Sequence, residues 1–287
     1  MAGTLFVVAT PIGNLEDITL RALRTLREAD LIAAEDTRRT AKLLAHYKIQ
    51  RPMVSLHEHN EHHEAPKLVE RLIAGTSIAL VSDAGTPGVA DPGELLVKLA
   101  LERGLRVSPI PGASAVMAAL SVSGTPASEF VFMGFPPHGG KARTEWIGRL
   151  ANEQRTVVAF EAPHRIVRAL NELNELVNKH ILVLREATKV HEQLVISQIQ
   201  QQDAIPPLGE FVLVISSAAP VSDDYLRVSA GLETAISMIG CMTTNNSFDI
   251  DRATELAAAA VGLDIPDVKK AWKKHRISEN RRREQLS

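Results

Sequence analysis

Two α/β domains followed by a small helical region is the fold class the sequence predicts, and three observations lead to it. Short apolar runs alternate with segments of helical periodicity along most of the chain, the pattern of β-α-β units. With 287 residues, 45% of them hydrophobic, there is material for more than one core. Turn content rises at Ser123-Gly124-Thr125-Pro126-Ala127, and beyond Pro220 the sequence turns alanine-rich and helical. These shifts divide the chain into residues 1–122, 123–220 and 221–287.

In the first part, Thr4 to Ala9 reads as a buried strand, and Ile18 to Ala29, with Leu20, Leu23 and Leu26 three apart, as an amphipathic helix. A strand follows at Leu31 to Ala34, a helix at Thr37 to Tyr47 and a strand at Met53 to Leu56. A helix at Pro66 to Ala74, a strand at Ser77 to Val81, a helix over Leu95 to Glu102 and a strand at Val107 to Pro109 continue the rhythm, with a last helix after Pro111-Gly112. Such alternation predicts a largely parallel sheet covered on both faces. In the second part, strands are expected at Phe130 to Met133, Thr156 to Phe160, Ile181 to Arg185 and Phe211 to Ile215, with helices near Glu145 to Ala151 and Ile166 to Val177. In the third, Ala253 to Val261, a stop at Gly262 and Pro266 opening Asp267 to Lys274 give two helices at helix-turn-helix spacing. The stretch Met242 to Ser247 reads as a loop.

Composition narrows the class of function. One cysteine, Cys241, excludes an intrachain disulfide and a cysteine-based metal cluster, and fits a reducing compartment. The N-terminus enters a strand-like run directly and no stretch of about 18 apolar residues occurs, so a soluble, cytoplasmic protein without membrane contact is expected. The net charge of −2 conceals a basic end: residues 267–287 carry eight Lys or Arg against three acids. That end can attract phosphate backbones or be a solvated terminus. Histidines and glutamates crowd into His57-Glu58-His59-Asn60-Glu61-His62-His63, but no second cluster or HExxH spacing accompanies them; no metal is expected, and the stretch reads as a substrate-facing polar loop or a solvated one.

Five loops follow predicted strands, where open α/β sheets bind ligands: Ala9 to Asn14, Ala34 to Arg39, Val81 to Gly93, Ile110 to Ala115 and Glu161 to Arg165. The third is the richest in residues that tolerate unusual backbone angles, Val81-Ser82-Asp83-Ala84-Gly85-Thr86-Pro87-Gly88-Val89-Ala90-Asp91-Pro92-Gly93. It suits a small molecule lying against main chain. Neither G-x-G-x-x-G nor G-x-x-x-x-G-K-[ST] occurs, which counts against hydride transfer and nucleotide hydrolysis.

The segments TPIGNLEDITLRAL, AAEDTR, SLHEHNE, ALVSDAGTPGVADPG, PIPGASA, EAPHR and GEFVLVI together resemble the ribosomal RNA small subunit methyltransferase I family of the tetrapyrrole-methylase superfamily, from about Gly3 to Ile215. The resemblance implies two α/β domains of the tetrapyrrole-methylase type with S-adenosyl-L-methionine in the cleft between them, and a homodimer. It implies 2′-O-methylation of a cytidine in the decoding region of 16S, small-subunit, rRNA. By similarity, cofactor contact falls to Ile12, to Asp83, Gly85 and Thr86, and to Ser114 and Ala115, with Glu210 to Val212 on the adenine side. His62 and His63 depart from the family pattern, and residues 221–287 match it only loosely.

Methyl transfer from a sulfonium needs an in-line acceptor and a well-shaped site more than elaborate acid–base groups. A ribose hydroxyl still calls for a nearby acceptor, and Glu35, Asp36, Glu161 and His164 are candidates, with Arg38 or Arg165 to hold a phosphate. Asp36 with Arg38 is favoured, since one short cluster supplies acceptor and clamp; the plain role of Asp36 is to cap the following helix. Lys141, Arg143 and the run Arg185 to Glu192 are further phosphate contacts or surface ion pairs. Aromatics amount to 4% of residues, too few to stack several bases, so phosphates and a single inserted nucleotide are the expected mode of recognition. Two other readings compete: a methyltransferase of tetrapyrrole precursors, and a non-catalytic RNA-binding ribosome-assembly factor.

Overall fold

A computed structural model describes residues 1–176, 179–197, 206–217, 234–243 and 249–284, with side chains of 196–197, 274 and 277–284 excepted. Five parallel strands form the first sheet: β1 (Thr4–Val8), β2 (Leu31–Ala34), β3 (Met53–Ser55), β4 (Ile78–Val81) and β5 (Arg106–Ile110), in the order β3-β2-β4-β1-β5. Successive strand residues supply opposite faces. Leu31, Ala33, Ile78 and Leu80 join one core with α3 (Glu61–Ile73) and α4 (Glu94–Glu102), while Ile32, Ala34, Ala79 and Val81 join the other with α1 (Leu20–Glu28) and α2 (Thr37–His46). Burial on both faces is why these strands read as unbroken apolar runs.

The chain leaves β1 toward the β2–β3 edge and leaves β4 toward β5 at the opposite edge. Connections therefore diverge at the β1–β4 pair, which opens a crevice at the carboxyl ends of those strands. Helix α3 begins at Glu61 and runs through Pro66, five residues ahead of the expected start, burying Ala65, Leu68, Val69 and Leu72.

The second sheet is mixed, not parallel. Strands β6 (Phe130–Phe132), β7 (Thr156–Glu161), β8 (His180–Arg185), β9 (Gln193–Ser197) and β10 (Phe211–Ser216) lie in the order β6-β7-β10-β8-β9, with only β6 and β7 parallel. Helices α6 (Gly140–Asn152) and α7 (Ile166–Asn174) cover one face through Trp146, Leu150, Ile166 and Leu170. Helix α5 (Ala115–Val122), which directly follows β5, covers the other through Val116, Ala119 and Leu120. Both sheets belong to one compact unit, Met1–Pro220. The expected end of α7 at Val177 lies outside the described residues.

The second unit, Val221–Ser287, contains α8 (residues 234–243), α9 (Ile250–Val261) and α10 (Ile265–Glu284). Ala235, Ile239, Ala253, Ala257, Ala258 and Val268 form its core. Gly262, at φ +67°, turns its N–H back to Ala258 O and closes α9, as expected. Helix α10 extends ten residues beyond the expected end at Lys274. Of the loop expected over Met242 to Ser247, Met242 and Thr243 complete α8 and the rest lies outside the described residues.

Candidate active site

Three loops of the first sheet meet at the crevice. Thr10 N donates to Gly85 O at 2.8 Å and Gly85 N returns a bond to Thr10 O at 3.0 Å, while the buried Thr10 hydroxyl donates to Ser82 O at 3.2 Å. Gly85 has φ +76°, and a Cβ there would sit 3.4 Å from Ile12 Cγ2 and 3.8 Å from Ala113 O. The loops after β1, β4 and β5 are thus in van der Waals reach around one bare backbone position. Ser114 ends the third loop by capping α5, its Oγ accepting from Met117 N at 3.4 Å, and Ala115 packs into the apolar cluster under the second sheet.

Carboxylates line the β2 side. Glu35 Oε2 accepts from Asp83 N at 3.1 Å, and Asp83 Oδ1 accepts from Asp36 N at 3.0 Å, so the loops after β2 and β4 are cross-linked. Arg39 lies 3.2 Å from Asp83 Oδ2. Asp36 caps α2: its Oδ1 accepts from Arg38 N at 2.8 Å, and its two oxygens take a forked bond from the Arg38 guanidinium at 3.1 and 2.8 Å. That fork holds the Asp36 carboxyl far below the usual carboxylate range. Burial has the opposite effect on its neighbours. It raises Glu35, against a bond from the Asp83 amide, and pushes Asp91 up to about 6, with the charges of Glu35 and Asp83 adding to the rise and the Ser82 hydroxyl opposing it.

The long loop after β4 is held from outside. Glu61 Oε1 accepts from Gly93 N at 2.9 Å and Leu95 N at 3.1 Å, so the first residue of α3 caps α4. Gly93 has φ +121° and lies so close to Leu80 that a Cβ would meet Leu80 Cδ2 at 2.7 Å. Ala90, just before Asp91, adopts φ +63°, which costs a residue with a Cβ roughly 1–2 kcal/mol. The segment His57 to Asn60 serves as support: Asn60 Oδ1 accepts from His57 N at 2.8 Å and Asn60 Nδ2 donates to Ser55 O at 3.0 Å.

The second sheet reaches the same crevice through the turn between β8 and β9. A Cβ on Gly13 would lie 2.6 Å from Ala187 O and from Lys189 Cγ, so the β1 loop and this turn touch backbone to backbone. Lys189 is tied to Glu186 at 2.8 Å and Glu210 at 3.2 Å. Glu161 and His164 stand at the end of β7. Glu161 is buried, with Oε1 2.8 Å from Arg165 Nε and accepting from Ala162 N at 2.8 Å, and Oε2 3.8 Å from Arg143. His164 is exposed in a short 3-10 turn, Pro163–Arg165. The structure therefore carries Ile12, Asp83, Gly85, Thr86, Ser114 and Asp36 on the loops of the first sheet, with Arg38 in the first turn of α2 and Ala115 at the start of α5, and places Glu161 in a buried ion network of the second sheet. Sequence reasoning passed over Asp91 and Glu61, whose partners lie on other elements; the Asp-Pro-Gly ahead of α4 is the one local sign at Asp91.

A parallel sheet whose crevice is walled by a second, mixed sheet is the architecture of a methylase class: the family model for Tetrapyrrole (Corrin/Porphyrin) Methylases matches residues 4–203. Ribosomal RNA small subunit methyltransferase I of Synechocystis sp. is 48% identical over 224 residues, covering 76% of this chain and 80% of that protein. The protein of that name from Neisseria meningitidis serogroup B is 42% identical over 283 residues, 95% of each chain. The chain belongs to the ribosomal RNA small subunit methyltransferase I family. Solved structures support the fold: diphthine synthase has a TM-score of 0.59 at 17% identity, over 75% of this chain and 90% of its own. Uroporphyrin-III C-methyl transferase from Thermus thermophilus, complexed with S-adenyl homocysteine, has a TM-score of 0.53 at 20% identity, over 75% of this chain and 97% of its own.

The crevice fits the chemistry of S-adenosylmethionine. The loops after β1, β4 and β5 bring Ile12, Gly85 and Ala113 together around bare backbone, and Asp83 and Asp91 put carboxylates on the β4 loop for a ribose diol or for the positive charges of an ammonium and a sulfonium. Among the described residues no group of three or more His, Cys, Asp or Glu is arranged to hold a metal, and no helix is long and apolar enough to cross a membrane.

Proposed function

We propose that this chain methylates small-subunit rRNA from S-adenosyl-L-methionine, and that the acceptor is the ribose 2′-hydroxyl of a cytidine in the decoding region of 16S rRNA. The observation that carries the reading is the 42% identity extending over 95% of both this chain and a ribosomal RNA small subunit methyltransferase I. When bound, the cofactor supplies a methyl group on a sulfonium, already activated, so the protein's task is placement.

Ile12, Gly85, Thr86, Ser114 and Ala115 form the slot for the donor in this reading, and Asp83 holds its polar end. Asp36, kept ionised by Arg38, accepts a hydrogen bond from the ribose hydroxyl and is too weak a base to keep its proton. Asp91 and Glu35, both of raised proton affinity, stand on the same side to take that proton. Arg38 and the exposed His164 face the RNA phosphates, and Glu161 positions Arg165 rather than touching substrate. The homodimer and the cytoplasmic setting belong to the same proposal, the latter supported by the free, exposed thiol of Cys241.

Incubating the purified chain with tritiated S-adenosylmethionine and undermethylated small ribosomal subunits tests the reading. Label is expected on one cytidine, with the 3′ phosphodiester there resistant to alkali. Label on a base would reject the 2′-O assignment, and none in the RNA would reject the substrate.

A further inference from the structure

Phe135, in the segment that follows β6, is exposed, 52% accessible, one residue past the positive-φ Gly134. Its ring lies 5.4 Å from Phe160, which is 5.0 Å from Phe132, and both of these pack into the apolar cluster that also takes in Ala115 from the first-sheet loops. The exposed face of Phe135 is thus the outer end of an aromatic row, and Phe160 precedes Glu161, which pairs through Phe211 with Arg185, so the row lies at the end of the second sheet whose β8–β9 turn touches the β1 loop.

Side chains from α6 and from the turn after β7 hold the backbone around this ring. Trp146 Nε1 donates to Met133 O at 3.3 Å, Arg165 to Pro136 O at 3.1 Å and Arg143 to Pro137 O at 2.9 Å. Arg143 is 4% exposed, pairs with Glu172 at 2.6 Å and faces Glu161, which also holds Arg165. Two guanidiniums and two carboxylates are therefore spent on presenting a short segment whose central side chain is left uncovered. Phe135 rests one side on Phe160 and leaves about half of its surface open, and a stacking surface needs this rigidity.

We propose that Phe135 is the stacking platform for the nucleobase of the nucleotide presented for methylation, with Arg143, Arg165 and Glu161 as positioning residues for its loop. The inference rests on the RNA reading above. One ring suits one unstacked base, consistent with a chain too poor in aromatics to bind a run of them. A π face grips any base, so the platform contributes affinity and orientation rather than sequence choice.

Steady-state kinetics on undermethylated small ribosomal subunits, with calorimetry of S-adenosylmethionine binding beside them, test the platform. Phe135→Ala is expected to raise KM for the subunits about tenfold or more, the loss of one base–aromatic stack, with donor affinity unchanged within about twofold. Phe135→Trp is expected to restore KM, since the larger ring stacks equally well. An alanine variant with the parent KM, or one whose defect is a change in oligomeric state by light scattering, would overturn the platform while the RNA reading stands. A parent chain that methylates no rRNA would remove both.

Discussion

Gly85 carries φ +76° where three loops converge, and this one position joins backbone freedom to the proposed slot. Gly85→Ala is expected to cost about 1–2 kcal/mol from the left-handed backbone, visible in urea unfolding, and to weaken S-adenosylmethionine binding as the loop shifts to relieve that strain. Asp91 makes a different prediction. Its folded carboxyl keeps a proton up to about pH 6, whereas an unfolded one loses it near 4, so the native state binds more protons in that window and stability falls as pH rises through it. Asp91→Asn should flatten that fall in pH-dependent thermal melts; a slope equal to the parent's would show that Asp91 is ionised throughout. At Glu161, buried against Arg143 and Arg165, Glu161→Gln removes the charge both guanidiniums face and is expected to cost about 3 kcal/mol in chemical denaturation.

Elements differ in how far the sequence announces them, for physical reasons. Strands β2, β4 and β10 are buried on both faces and show as plain apolar runs; β9, at a sheet edge with Gln193 and Ser197 at its ends, carries a weaker signal and was not expected. The first turn of α6 opens on Gly139-Gly140, which reads as a turn, so only its later part was legible. The loops of the site were legible from glycine, proline and aspartate content at strand ends, and Asp36 proved to be a helix cap as well as a member of the site. What ties the loops together was not. Glu61 caps α4 from 32 positions away, a contact that no local pattern encodes. Glu61→Ala leaves the Gly93 and Leu95 amides without that acceptor and should destabilise the fold by about 1 kcal/mol, with a larger relative loss in donor affinity as the loop after β4 loosens. Equal donor affinity in the variant would mean that the loop holds its shape unaided.

At the scale of the molecule, the diverging connections at β1 and β4 create the crevice and the β8–β9 turn touches the β1 loop within the same compact unit. The division of labour follows: the parallel sheet offers backbone and carboxylates, and the mixed sheet offers the aromatic row and its arginine frame. The most direct measurement is titration calorimetry of the full chain with S-adenosylmethionine, run on the parent and on Gly85→Val with folding checked by circular dichroism. One donor per chain is expected for the parent, with at least tenfold weaker binding for a folded Gly85→Val. A well-folded parent that takes up no heat, or a valine variant that binds as tightly, would contradict a donor site built on these loops.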